Sequence, residues 1–139
     1  RTFGIDPAGP ARFNITRLGP VLEDIHDRLA GVMIENLPWA KFIERYDRKA
    51  TLFYLDPPYW GCESDYGRDL FSPGDFRHLA TVLKALKGRF ILSLNDVSEV
   101  REVFANFTIE PVTLTYTVGG GKGRAAKEVI ITNFGVNIG

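Results

Sequence analysis

Cysteine is almost absent from this chain. Cys62 is the only one among 139 residues, so no internal disulfide and no cysteine-based zinc site can form. A reducing cytoplasm is the compartment expected of such a chain. An excess of charge is missing too, because 17 Lys and Arg balance 17 Asp and Glu. Bulk charge therefore does not hold this chain on nucleic acid, although a local basic patch is allowed. No apolar run reaches the length needed to span a bilayer and no signal peptide is recognisable, so a membrane is not an expected partner. With 45% hydrophobic and 24% charged residues, the composition is that of an ordinary globular domain rather than a disordered chain. The opening segment RTFGIDPAGP has neither an initiator Met nor a strand, and it reads as a piece that starts in the middle of something.

What is present alternates between two periods. One domain is expected over residues 1–139, with an irregular Gly- and Pro-rich lead-in at 1–16 and an α/β core at 17–139. Val21, Leu22, Ile25 and Leu29 recur at helical spacing, which predicts a helix over Pro20–Ala30 that Gly31 stops. GVMIE then predicts a short buried strand, Leu37–Tyr46 a second helix, and Thr51–Leu55 a second strand ending at Asp56. Gly61–Leu70 is polar and turn-rich and predicts a loop. Ser72, with Pro73 behind it and Asp75 three residues on, predicts a capped helix to about Lys87 that buries Phe76, Leu79, Val82, Leu83 and Leu86. Arg89–Leu94 is a third strand, after which Asp96 and Glu99 suggest a capping box before a short helix. Ile109–Val118 and Lys127–Phe134 are β-branched runs joined by GGGKGRAA, the pattern of a hairpin. This order implies a parallel sheet covered by helices, with an antiparallel pair at one edge.

The segment TLFYLDPPYWG, Thr51–Gly61, is where the chain carries chemistry. In open α/β sheets, ligands bind beyond the carboxyl ends of the strands, and Asp56–Tyr59 stands at such an end. A strand that simply stops at Pro would also look like this. The four residues together suit an exocyclic amine on a planar base, whose lone pair is delocalised and poorly nucleophilic. Asp56 offers one acceptor for the amine N–H groups and the Pro57 carbonyl another. Neither Pro57 nor Pro58 has an N–H, and their fixed φ holds that carbonyl in place. Tyr59 can stack on the base. Acceptors so arranged stabilise the positive charge that develops on nitrogen as it attacks.

LDPPYW at a strand end resembles the Asp-Pro-Pro-Tyr motif of D12 class N6-adenine DNA methyltransferases. The resemblance extends through GVMIENLPW, TLFYLDPPY, ILSLND and YTVGGGKGRAAKEVIITNF, roughly Ala30–Phe134, and phage-encoded members of the class look most similar. It implies a Rossmann-like S-adenosylmethionine-dependent methyltransferase core, here partial, with an antiparallel carboxyl-terminal β-hairpin. It implies that Asp56, Pro57, Pro58 and Tyr59 hold an adenine flipped out of double-stranded DNA. Asn36, Leu37 and Asp56 fall where the class meets S-adenosylmethionine. Trp60 and Tyr66 would border the flipped base, and Lys122, Arg124 and Lys127 would form a basic hairpin tip against DNA phosphates. No metal is required by this chemistry.

The class also carries a Phe-x-Gly-x-Gly cofactor loop and a preceding strand, which this sequence lacks. The resemblance is therefore to a carboxyl-terminal part, with little activity expected of the isolated chain and an open sheet edge that invites pairing with a second copy. Rival expectations are methylation of cytosine N4 or of an amine in RNA or protein, and a non-catalytic remnant that self-associates or binds DNA. GGGKGR is not read as a phosphate loop, because Gly rather than Ser or Thr follows Lys122 and a strand comes next. His26 and His78 lack ligand partners at helical spacing, Trp39 and Phe42 read as core, and Asn95 could reach the rim of the site.

Overall fold

The computed structural model describes residues 15–63, 71–116 and 124–135, with side chains described for 18–63, 71–113 and 126–135. The expected lead-in up to Asn14, Tyr66, Lys122 and the side chain of Arg124 lie outside the described residues. The chain divides into two units, Arg1–Asn36 and Leu37–Gly139.

The first unit contains helix α1, Ile15–Leu29. It begins five residues before the expected start, so Pro20 lies inside it rather than in its first turn. Its apolar stripe is as the spacing predicted, with Val21, Leu22, Ile25 and Leu29 all 45–54% exposed. The expected strand at Gly31–Glu35 does not form; the segment is irregular, and Met33 and Ile34 are 76% and 80% exposed. A short apolar run signals a preference for burial but does not supply the neighbouring strand that its hydrogen bonds require.

The second unit runs α2 (Trp39–Tyr46), β1 (Leu52–Leu55), α3 (Pro73–Lys84), β2 (Arg89–Asn95), α4 (Ser98–Val103), β3 (Thr108–Tyr116) and β4 (Arg124–Thr132). Its sheet has the order β1-β2-β4-β3. β1 and β2 are parallel and are connected through α3, whereas β4 is antiparallel to both β2 and β3. This is the mixed α/β sheet that the alternation of periods implies. β3 is an edge strand, which accommodates Pro111 and its missing N–H.

The core gathers on one face of the sheet. Phe53, Phe90, Leu92, Leu94, Val129 and Ile131 are buried together with Ile43 of α2, Phe76, Leu79 and Leu83 of α3, and Val100 of α4. Register explains the grouping, because Phe53 pairs with Phe90, Leu92 with Ile131 and Leu94 with Val129, and paired residues share a face. Aromatic edges interlock in this core, with Phe90 and Phe107 centroids 5.1 Å apart and Phe71 and Phe76 4.9 Å apart.

Polar side chains fix the start of β2. Asp47, just past α2, accepts the N–H groups of Lys87 and Gly88 at 2.9–3.1 Å. Asn133 accepts the Phe90 N–H at 3.1 Å and donates to the Gly88 carbonyl at 2.9 Å. Gly88 sits so close to the preceding turn that a Cβ would meet the Thr51 carbonyl at 2.6 Å. Only glycine fits there without displacing backbone.

Two caps behave differently from each other. Ser72 caps α3 as expected, and Asp75 turns the cap into a capping box: the Ser72 N–H donates to Asp75 at 2.8 Å, and its hydroxyl does so at 2.6 Å. Asp96 does not cap α4. The N-cap is Val97, and Asp96 instead takes the Arg101 fork, with Nε and Nη2 donating at 2.6 and 2.9 Å. A bidentate guanidinium pair is a stronger claim on a carboxylate than a single N–H, and Arg101 lies one turn further on, where a capping pattern does not look for it.

The Ser72 hydroxyl, opposed by desolvation and aided by the Ser72 N–H, His78 and Trp39, holds the Asp75 carboxyl below its ordinary value of 3.8. A depressed carboxylate contributes stability above the unfolded-state value and loses it as pH falls through the folded one. Asp75→Ala should cost about 1 kcal/mol at neutral pH. In urea titrations the difference from the parent chain should narrow steadily as pH is lowered below 3.8.

Candidate active site

The Asp-Pro-Pro-Tyr segment leaves the carboxyl end of β1 where the sequence places it. Asp56 is exposed, and Pro57, Pro58, Tyr59 and Trp60 are half-buried. All peptide bonds here are trans. The Cys62 N–H donates to the Tyr59 carbonyl at 2.9 Å, closing a turn whose third residue, Gly61, has a φ of 85°. That left-handed conformation suits glycine and strains most other residues.

Two side chains from the sheet hold the segment. Asn95, the last residue of β2, accepts the Trp60 N–H at 2.8 Å and donates to the Trp60 carbonyl at 3.1 Å. It therefore pairs with this stretch as a strand would. The Tyr59 hydroxyl donates to Glu128 Oε1, and the Ser93 hydroxyl donates to Glu128 Oε2 at 3.1 Å. Glu128 is only 4% exposed and Ser93 6%, so the carboxylate depends on such donors in place of water. Glu128 faces Asn95 in the β2–β4 register.

Beside the segment is a cavity of about 370 Å³, lined by Trp39, Phe42 and Ile43 of α2, Tyr54 and Leu55 of β1, Asp56, Pro57 and Pro58, and Phe71 and Leu79. Its size lies within the range of small-ligand sites, roughly 300–1,000 Å³. Apolar side chains dominate its walls, four of them aromatic, a carboxylate stands at one side, and no cationic side chain lines it among the described residues. Trp39 packs against the core as expected and also lines the cavity, whereas Phe42, expected as core, is 38% exposed on the cavity wall.

The other sequence-derived residues are dispersed. Trp60 does not line this cavity. Its ring packs on Phe76 at 4.8 Å and opens on the groove between α3 and α4. Leu37 is half-buried in the second unit, whereas Asn36 is exposed and belongs to the first. Lys127 is exposed on β4. Cys62 is exposed. The His78 ring meets Trp39 edge-on at 5.1 Å. Among the described residues no three of His, Cys, Asp and Glu gather at one point. No helix among them is long and apolar enough to cross a membrane.

Sequence reasoning missed the part played by Ser93 and Glu128. The signal was polar residues set against apolar strand runs, Ser93 and Asn95 in ILSLN and Lys127 and Glu128 in KEVII. Only the register shows that they meet, and that they meet at Tyr59.

A parallel strand that runs into Asp-Pro-Pro-Tyr, beside a cavity at the carboxyl edge of the sheet, defines an α/β protein with a candidate site where such sheets hold ligands. The family model of D12 class N6 adenine-specific DNA methyltransferases matches residues 9–118, and the chain belongs to that family. It is also similar to a retron Ec67 DNA adenine methylase of Escherichia coli, with 37% identity over 82 residues, 55% of this chain. The matched part is 29% of that relative's length.

Asn95→Asp replaces the only donor of the Asn95 clamp with an acceptor that faces the Trp60 carbonyl. Thermal unfolding should show a loss of about 1–3 kcal/mol. Equal stability of the two proteins would mean that Asn95 does not hold the segment.

Proposed function

We propose that the chain forms the amine-holding part of an enzyme that transfers a methyl group from S-adenosylmethionine to N6 of adenine in double-stranded DNA. The observation that carries this reading is the Asp-Pro-Pro-Tyr segment at the end of β1, with its backbone held by Asn95 and its ring by Glu128. Family membership and the methylase relative support it.

In this reading the target adenine leaves the duplex and presents its amine to Asp56 and the Pro57 carbonyl. Both accept hydrogen bonds from the amine N–H groups, which draws electron density to nitrogen and favours the pyramidal geometry of attack. A bound sulfonium donor would give its methyl group to the nitrogen and leave as a neutral thioether, and the nitrogen would then release one proton to water. Asp56 and the Pro57 carbonyl stabilise the charge on nitrogen before that release. Tyr59 covers the base face.

S-Adenosylmethionine supplies an electrophilic methyl group when bound. The cavity beside Asp56 fits its adenosyl part chemically, because its aromatic side chains accept a planar ring and, among the described residues, no lining cation opposes a sulfonium. Leu37 and Asp56 are the residues of the second unit assigned to it. Lys127, together with Lys122 and Arg124, is assigned to DNA phosphates. The edge of β1 supports pairing with a second copy, since Leu52 and Tyr54 are 57% and 66% exposed.

The reading is tested by binding alone, without turnover. Oligonucleotides carrying adenine, cytosine, or purine without its amine at one position are titrated with the chain. The adenine form should bind best, and Asp56→Ala should remove about tenfold or more of its advantage over purine, as expected for loss of a charge-assisted hydrogen bond. Equal affinity for adenine and purine overturns the assignment, and a preference for cytosine moves the target to N4.

A further inference from the structure

We propose that Glu128 is a positioning residue for Tyr59, fixing the phenol ring in one orientation before any base arrives. The argument begins with the sheet. Ser93 and Asn95 are two apart on β2 and share a face, and Glu128 on β4 lies directly opposite Asn95. Ser93 hydroxyl, Asn95 amide and Glu128 carboxylate are therefore presented together at one end of the β2–β4 pair. The two outer ones grip consecutive residues of the loop, with Asn95 on the backbone of Trp60 and Glu128 on the hydroxyl of Tyr59.

These grips do different things. A backbone clamp sets where Tyr59 starts but leaves its two side-chain torsions open. The hydroxyl bond to Glu128 closes them, because it ties the far end of the ring to the centre of the sheet. Glu128 cannot drift to accommodate the ring: it is buried, and its second oxygen is held by Ser93. A carboxylate at this depth is costly to bury and adds no apolar packing, so core formation alone does not account for it. A rigid ring, by contrast, spares the ligand the entropy of ordering a side chain, which weakens binding by about two- to tenfold when it must be met at association.

The role in base binding rests on the function proposed above; the control of ring order does not, and the two are separable by experiment. The chain is labelled with carbon-13 in its tyrosine rings, Tyr59→Phe assigns the Tyr59 signals, and ring order is read from aromatic relaxation. Glu128→Gln keeps an acceptor for the hydroxyl, whereas Glu128→Ala does not; Ser93→Ala removes only the Ser93 bond to the second oxygen.

Tyr59 should be rigid in the parent chain and in Glu128→Gln, intermediate in Ser93→Ala and mobile in Glu128→Ala. Affinity for the adenine oligonucleotide should follow the same order, with about a two- to tenfold loss in Glu128→Ala and none in Glu128→Gln. In a Tyr59→Phe background Glu128→Gln should again change nothing. If Glu128→Ala does not fold, Glu128→Gln and Ser93→Ala still decide the matter. Loss of ring order in Glu128→Gln, or unchanged order in Ser93→Ala, overturns the inference. A ring whose order follows Glu128 in a chain that does not favour adenine leaves the positioning role standing and removes the methyltransferase reading instead.

Discussion

The structure depends on one lateral pair, Asn95 of β2 against Glu128 of β4. β1 is four residues long and is followed, after Asp56, by two prolines. Proline cannot donate to a ladder, so this strand has no means of holding its own exit. The hold comes from the neighbouring strands. Asn95 completes the hydrogen bonding of the Trp60 peptide, and Glu128 anchors the Tyr59 ring. A segment with a fixed backbone and a fixed ring presents Asp56 and the Pro57 carbonyl from a set position, and preorganised acceptors are what attack by a weak amine requires.

That arrangement is only as firm as β2 itself, and the other end of the strand is bracketed with equal care. Asp47 and Asn133 satisfy the backbone around Gly88, and Gly88 fits against Thr51 because it has no side chain. β2 is thus fixed at its start to the turn that precedes β1, and at its end to the loop that follows β1. Between these points the strand is sealed by Phe90, Leu92 and Leu94, none of which is exposed. The apolar core supplies the rigidity, and polar side chains at the two strand ends direct it to the site.

Much of this is legible in the sequence. The periods locate α2, α3, β1, β2 and the hairpin strands, because each has an apolar pattern of its own and a recognisable boundary such as Ser72 or Gly88. The motif residues are legible as well, since Asp56–Tyr59 needs nothing beyond its own chemistry to attract notice. The failures share a cause. GVMIE looks like a strand but is irregular in the structure, and Asp96 looks like a cap but is taken by Arg101. Ser93 and Glu128 are 35 residues apart, and nothing local links one to the other. Each depends on a partner distant in sequence or beyond the local pattern, and the register of β2 against β4 cannot be read before the hairpin is placed. Trp60 is a milder case: its place beside the motif suggests the rim of the site, yet Phe76 offers its ring a better apolar neighbour.

The central claim, that the sheet holds the motif segment in advance of any ligand, is tested most directly by amide hydrogen exchange at Trp60. Its N–H is bonded only to a side chain, Asn95, within a loop. The account predicts exchange nearly as slow as that of the core amides of β2, because the bond opens only when the strand does. Exchange at the rate of an exposed loop amide would contradict it.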